Sequence, residues 1–388
     1  VTNAWGQTPL PQSSSDLANE FAQAAKADAP PIPPPAPGNL GKELLGNESN
    51  PSISLILDTV ASYATQKDRI HLGGHTPTTN GFAVTGMEMA ASANIDPYFK
   101  FDLAMNFAHM HVEEAVLTTL GLPLNLQVRA GQFLSRVGRH NPTHPHTWNF
   151  VLHPLPNQFL LGAEGLSAPG VELSWLLPTP WFAELILAIQ HGEAGSLRAA
   201  EGDPALGDFI FPLRFMQFFD LTDDHALQIA GNMILGPSTF APETDNRAYL
   251  FGGDFLYRYR PIGAGSTGSR HLTLSGEFWL RDLEVPKDLW RDLGGYVDLT
   301  LGFSKRWQAA LRAELWRRLS GDAPTIDNRR TDFGADINRA NIALTFLPSH
   351  FSRVRMQYTV EKVEGFPTNH TTFLQLEVSA GAHGAHAY

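Results

Sequence analysis

The sequence predicts an all-β protein: a transmembrane antiparallel β-barrel of about 16 strands, preceded by a disordered or extended proline-rich tail. Three observations predict it. Apolar and polar residues alternate strictly through segment after segment. The connections between those segments are alternately tight and long. No apolar run reaches the roughly 18 residues that a spanning helix needs, so a membrane signal, if present, is carried by strands.

The alternation is clearest from Tyr98 to Ala108. Phe99, Phe101, Leu103, Met105 and Phe107 take one parity, and Tyr98, Lys100, Asp102, Ala104 and Asn106 the other. A strand sends these sets to opposite faces, whereas a helix scatters both. In a barrel the apolar parity meets lipid and the polar parity lines a wet lumen.

Taken in order, residues 1–50 are a polymer apart from 51–388. Ser13–Ala29 reads as a short capped helix, and Pro30–Gly38 as extended polyproline II. This segment is expected to be a periplasmic linker, a partner-binding tail or a disordered leader. Val1–Gln7 reads as a mature N-terminus or the tail of a signal already removed. Strands follow near Ser52–Val60, Phe82–Asn94, Tyr98–Ala108, Val112–Leu120 and Leu124–Leu134. After an interruption at 136–169 they resume at Val171–Leu177 and Trp181–Ile189. Phe209–Asp220 is rich in phenylalanine, and its facing is ambiguous. Eight more alternating segments are readable from Leu227 to Ala380.

Even-to-odd turns are tight, as at Asn94–Pro97, Gly121–Pro123, Pro178–Pro180, Leu221–Asp224 and Lys305–Arg306. Odd-to-even connections are mostly long, as at Thr65–Asn80, Arg136–Pro169, Gly192–Gly207 and Ser320–Asp336. Short periplasmic turns alternating with long external loops are the asymmetry of an outer-membrane barrel, and a soluble sandwich has no reason to keep it.

Composition narrows the function classes. A formal charge of −11 argues against nucleic acid as a partner. The absence of cysteine excludes thiolate metal sites and disulfides. No G-x-S-x-G elbow occurs, and Gly263-Ala264-Gly265 sits in a turn with no helix behind it, so no enzyme is expected.

The polar parity supplies the candidate pore residues: Lys100, Asp102, Arg129, Asp254, Arg258, Glu277, Arg281, Asp298, Arg312, Glu314, Arg353 and Arg355. Rings of charge select ions by sign. The competing reading is that acids and bases on neighbouring strands pair and brace the wall. Their balance predicts weak selectivity. Among 15 histidines, His109 and His111 flank a hairpin beside Glu113 and Glu114, and His140, His144 and His146 share the long loop. Imidazole with carboxylate suits zinc, so these five are the candidate metal ligands, although none sits in an HExxH-type spacing. A proline-stiffened loop packed by Trp148 and Phe150 is the simpler account of that segment. No cofactor is otherwise expected.

Leu126-Gln127-Val128-Arg129-Ala130-Gly131-Gln132-Phe133, the long interruption after it and the aromatic C-terminal Tyr388 resemble the phosphate-selective (O and P type) porin superfamily. The chain is also similar to uncharacterised delta-proteobacterial outer-membrane barrels, some labelled zinc-regulated TonB-dependent receptors. Such receptors need a folded plug, for which residues 1–50 are too few and too proline-rich. The porin resemblance implies a bacterial outer-membrane location and passive diffusion of small hydrophilic solutes or ions. It implies loop 136–169 as the constriction. Outer-membrane lipid, lipopolysaccharide and the barrel-assembly machinery are the implied partners, with a homotrimer by analogy. The alternatives are a zinc-binding or zinc-uptake barrel using the loop histidines, and a closed structural or partner-docking barrel.

Overall fold

A computed structural model describes residues 51–66, 75–77, 79–108, 110–199, 205–240, 245–261, 270–321, 325–326, 329–330 and 335–381. The tail at 1–50, His109, the Gly263–Gly265 turn, His383, His386 and Tyr388 lie outside them.

Alternation builds strands, and the strands close. They are β1 (Ser52–Ala64), β2 (Gly81–Asn94), β3 (Phe99–Asn106), β4 (His111–Thr119), β5 (Leu126–Leu134), β6 (Ser167–Leu176), β7 (Phe182–Gln190) and β8 (Phe211–Thr222). Then follow β9 (His225–Pro237), β10 (Arg247–Tyr259), β11 (His271–Val285), β12 (Asp288–Ser304), β13 (Trp307–Ser320), β14 (Ile337–Ser349), β15 (Ser352–Val363) and β16 (Asn369–Gly381). Each pairs antiparallel with its chain neighbour, and β16 returns to β1 in the register Asp58↔Glu377, giving a closed sixteen-stranded barrel. Closure removes the unpaired edges that a flat sheet would leave in lipid.

The predicted facing holds. On β1, Ile53, Leu55 and Leu57 are exposed on the outer surface, Leu55 by 54%, while Ser54, Ile56 and Asp58 are buried inside. The ambiguous phenylalanine segment resolves the same way: Phe215 points outward, and Pro212 and Arg214 inward. Two boundaries differ from expectation. β5 starts at Leu126, because Pro123–Asn125 form a 3-10 turn with Leu124 and Asn125 at φ 62° and 58°. β6 resumes at Ser167, earlier than the alternation alone indicates, because Pro169 and Gly170 mask its first half.

Most long connections share one rim. The loop at 135–166, between β5 and β6, folds inside the barrel and carries helix α1 (Leu155–Leu161). Leu155, Phe159, Leu160 and Leu161 pack there against Trp279, Leu283, Trp290 and Trp316 of the wall. The Phe159 and Trp316 rings are 4.9 Å apart. Gly294 makes room for this, since a Cβ there would lie 2.7 Å from the Trp316 ring. The barrel therefore contains a dry apolar core toward its long-loop rim, and a polar layer beyond it.

Candidate functional site

A loop inside a barrel brings irregular backbone away from water, and every amide and carbonyl it carries needs a partner. The inward residues of the far wall supply them. Gly138 N–H donates to Asn232 Oδ1 at 2.8 Å and Arg139 N–H to Glu277 Oε1 at 2.7 Å. Val151 N–H donates to Gln357 Oε1 at 2.6 Å. Arg312 Nη1 donates to the Leu152 carbonyl at 2.9 Å, and Arg339 Nη2 to the His153 carbonyl at 2.8 Å. Arg355 reaches the Trp148 carbonyl, and Arg214 that of Gly138. The loop leaves the wall at β5 and is held by β8, β9 and β11–β15, so it spans the lumen.

Most of the arginines holding the loop are themselves held by acids, while Arg355 is held by Gln375 and Thr345. Arg312 forms a two-pronged pair with Asp298 at 2.6 and 2.9 Å. Arg339 does the same with Glu314 at 2.8 and 2.7 Å, and Glu314 also accepts from the Leu155 N–H and from Asn341. Arg281 pairs with Asp292 at 2.9 Å, Arg214 with Asp254 at 2.8 Å, and Arg353 with Glu377. Such bidentate geometry fixes the guanidinium plane as well as its charge.

All twelve predicted pore residues lie on the inward parity, in two groups. Glu277, Arg281, Asp254, Asp298, Arg312, Glu314 and Arg355 are buried beneath the loop. Arg353 is nearly so, touching the Pro145 and Trp148 carbonyls. Lys100, Asp102, Arg129 and Arg258 keep access to solvent. Lys100 pairs with Asp102 at 2.8 Å and Arg129 with Glu172 at 3.1 Å. Arg136, at the loop's root, joins Glu172 and Glu184 at 2.7 and 3.2 Å. Arg136 and Glu184 belong with the accessible set, and the buried Glu172 anchors both Arg129 and Arg136 from beneath; it sits directly across from Arg129 in the β5–β6 register.

The predicted histidines separate. His140 packs its ring against Trp148 and His153, each ring 4.6 Å away, and its backbone N–H donates to Glu277 Oε1. Burial pushes its pKa well below the usual imidazole range, with His153, Arg312 and Arg139 adding to it. Burial likewise lowers His153 to about 3. His144 is different. Its Nδ1 lies 3.0 Å from Glu113 Oε2 and its Nε2 3.1 Å from Glu114 Oε2. Burial opposes its charge, but the two carboxylates outweigh burial and hold its pKa well above the usual range. His146 Nδ1 meets Glu88 Oε2 at 3.2 Å, and His111 Nε2 comes within 3.8 Å of both Glu113 and Glu164. His75 joins them, with Nε2 3.1 Å from Glu164 Oε2.

A β-bulge makes the Glu113–Glu114 arrangement. Ala104 pairs with Glu114 and Met105 with Val112, leaving Glu113 as the extra residue. Two residues then face one, so both carboxylates turn inward where strict alternation would send one outward. The trace in the sequence is the pair of adjacent acids breaking the alternation of β4. Glu88, Glu164 and His75 carry no such local signal, because their partners lie on other elements: Glu88 meets His144, His75 meets Glu113, and Glu164 meets His75 and His111.

No protein-family model matches the chain. An uncharacterised protein of Aquifex aeolicus is 28% identical, covering 87% of this chain and 80% of that one. Among solved structures, an anion-selective porin from Comamonas acidovorans superposes with a TM-score of 0.57 at 9% identity, over 86% of this chain and all of that one. The outer membrane channel DcaP of Acinetobacter baumannii gives 0.56 at 11% identity, over 86% and 97%. OprB of Pseudomonas putida gives 0.52 at 11% identity, over 88% and 97%. The shared property is the porin-like barrel fold. The narrower resemblance to the phosphate-selective superfamily rests on the sequence features alone.

Proposed function

We propose that this chain is a bacterial outer-membrane porin that lets small hydrophilic solutes or ions diffuse passively, with the 135–166 loop setting its constriction. One observation carries the reading: the loop lies inside the barrel and is fastened to the opposite wall by hydrogen bonds with seven strands, the β12 bond running from Asn149 Nδ2 to Thr300 Oγ1. The outward apolar belt suits lipid, and the porin-like fold of the solved structures supports the same location. The residual path runs along the wall where Lys100, Asp102, Arg129, Arg136 and Glu184 keep solvent access. Both signs are present there, so selectivity is modest.

A second reading has its own observation. The apolar core around α1 seals much of the long-loop half, which favours a closed barrel of structural or docking function. The deciding experiment is conductance of the purified, folded full chain in a planar lipid bilayer under a salt gradient. Stable openings of small unit size with weak ion preference support the porin. No openings from protein with the heat-modifiable mobility of a folded barrel overturn it in favour of the closed barrel. A homotrimer, contacts with lipopolysaccharide and a periplasmic partner for residues 1–50 are parts of the same proposal, read out by native mass and by pull-down with the tail.

A further inference from the structure

We propose that Glu88, Glu113 and His144 form a site for a divalent transition-metal ion of the zinc class, which pins the inserted loop to the wall at β2 and β4. The inference stands whether or not the barrel conducts.

Donor geometry is the first argument. One ligand atom from each residue lies within 4.8 Å of the other two. His144 Nδ1 is 3.0 Å from Glu113 Oε2 and 3.7 Å from Glu88 Oε1. Zinc bonds of about 2.0–2.2 Å at a tetrahedral centre set donors roughly 3.3–3.5 Å apart, so the observed separations bracket that spacing.

An orphaned atom is the second. Glu88 is 6% exposed, and its Oε1 accepts no hydrogen bond. A buried carboxylate oxygen without a donor is costly and calls for an occupant. That oxygen faces His144 Nδ1, and a metal between them would satisfy it.

The surrounding groups are the third. Ligating histidines characteristically give their other ring nitrogen to a carboxylate, which fixes the tautomer and aims the ring. His144 Nε2 faces Glu114 Oε2 at 3.1 Å. The far oxygens of both ligating carboxylates are also engaged, Glu88 Oε2 by His146 at 3.2 Å and Glu113 Oε1 by Asn106 at 3.1 Å. Three acids thus converge on one imidazole, and Arg129 Nη2 stands 3.6 Å from Glu114 Oε1, the oxygen of Glu114 that does not face His144. The nitrogen-and-oxygen set without sulfur suits zinc, cobalt or manganese rather than copper(I). Three protein ligands leave the fourth position to water.

The test uses the full-length chain folded in detergent, stripped with EDTA and titrated calorimetrically with ZnCl2, with CoCl2 in parallel as an optical probe. The expected result is about one equivalent bound with micromolar or tighter affinity, and visible Co2+ absorption of a tetrahedral centre. E88Q and H144Q should each weaken binding by about 100-fold, and the outer substitution E114Q by about 10-fold. H225Q, far away at a β9 terminus, should leave it unchanged. Zinc should raise the unfolding temperature of the parent chain but not of E88Q, which keeps the His144 contacts to Glu113 and Glu114 and so guards against a fold that simply fails. No zinc bound by the folded parent at about 100 μM, or undiminished binding in both E88Q and H144Q, overturns the proposal.

Discussion

Arg312 shows how much one residue holds here. Its guanidinium joins Asp298 on the wall to the Leu152 carbonyl on the loop, and it is 3% exposed. Removing one partner of such a pair leaves the other charge buried and uncompensated, at a cost of about 3–5 kcal/mol. Arg312→Ala should lower the temperature at which the heat-modifiable band converts, and should enlarge or destabilise conductance by freeing the loop. A second residue-scale prediction concerns pH. His140 and His153 have folded pKa values below that of free imidazole, about 3 for His153, because burial refuses them a proton. Below about pH 6.5 the unfolded chain takes up protons that the folded one does not, so stability falls as pH drops from there toward 3. In the metal-free protein His144 acts in the opposite window: its raised pKa stabilises fully below about 6.5, and that contribution is lost as pH rises through the folded value. Thermal midpoints measured across pH should therefore sag on the acid side, and the His140→Gln, His153→Gln double variant should flatten that limb. The charges were legible in the sequence as inward residues. Which acid meets which arginine was legible only across adjacent strands, as for Arg129 and Glu172, since those partners follow from register. Proximity in the loop sequence groups His140 with His144 and His146, but it does not reveal that Trp148 and His153 enclose the His140 ring, apart from the Glu88–Glu113–His144 cluster.

At the scale of the element, β4 and β5 are the informative pair. Gly131 has φ 130°, and a Cβ there would sit 2.1 Å from the Ala115 carbonyl oxygen. Gly131→Ala should cost roughly 1–3 kcal/mol and loosen the β4–β5 seam, measurable as faster hydrogen exchange in both strands. The Glu113 bulge allows a cleaner test. Deleting Glu113 leaves Val112 opposite Met105 and Glu114 opposite Ala104, in unbroken alternation. The variant should insert and close normally yet lose the two-sided grip on His144, seen as accelerated proteolysis within 135–166. Strand existence and facing were readable almost throughout, since a period of two survives any tertiary context that keeps one face in lipid. The α1 helix was not, because a seven-residue apolar turn inside a long loop has no periodicity to distinguish it.

For the whole molecule, the outer surface makes its own prediction. Tyr98, Trp175, Trp181 and Trp307 are exposed beside the short turns, as a girdle at one membrane interface requires. Replacing Trp175, Trp181 and Trp307 together with alanine should slow insertion into liposomes while leaving the interior network intact, as followed by band-shift kinetics. The loop, in turn, dictates an order of assembly. Its partners are strands made long after it: Val151 bonds Gln357 at a separation of 206 residues, and Trp148 bonds Arg355 at 207. A finished cylinder offers no lateral route by which α1 and its four apolar side chains could be pushed past a wall of paired charges. The later strands must instead wrap around a segment already waiting on the inside, and the β1–β16 seam shuts last. Contacts so distant in sequence make this a slow folder, and one whose interior is sealed in the same event that completes its outside.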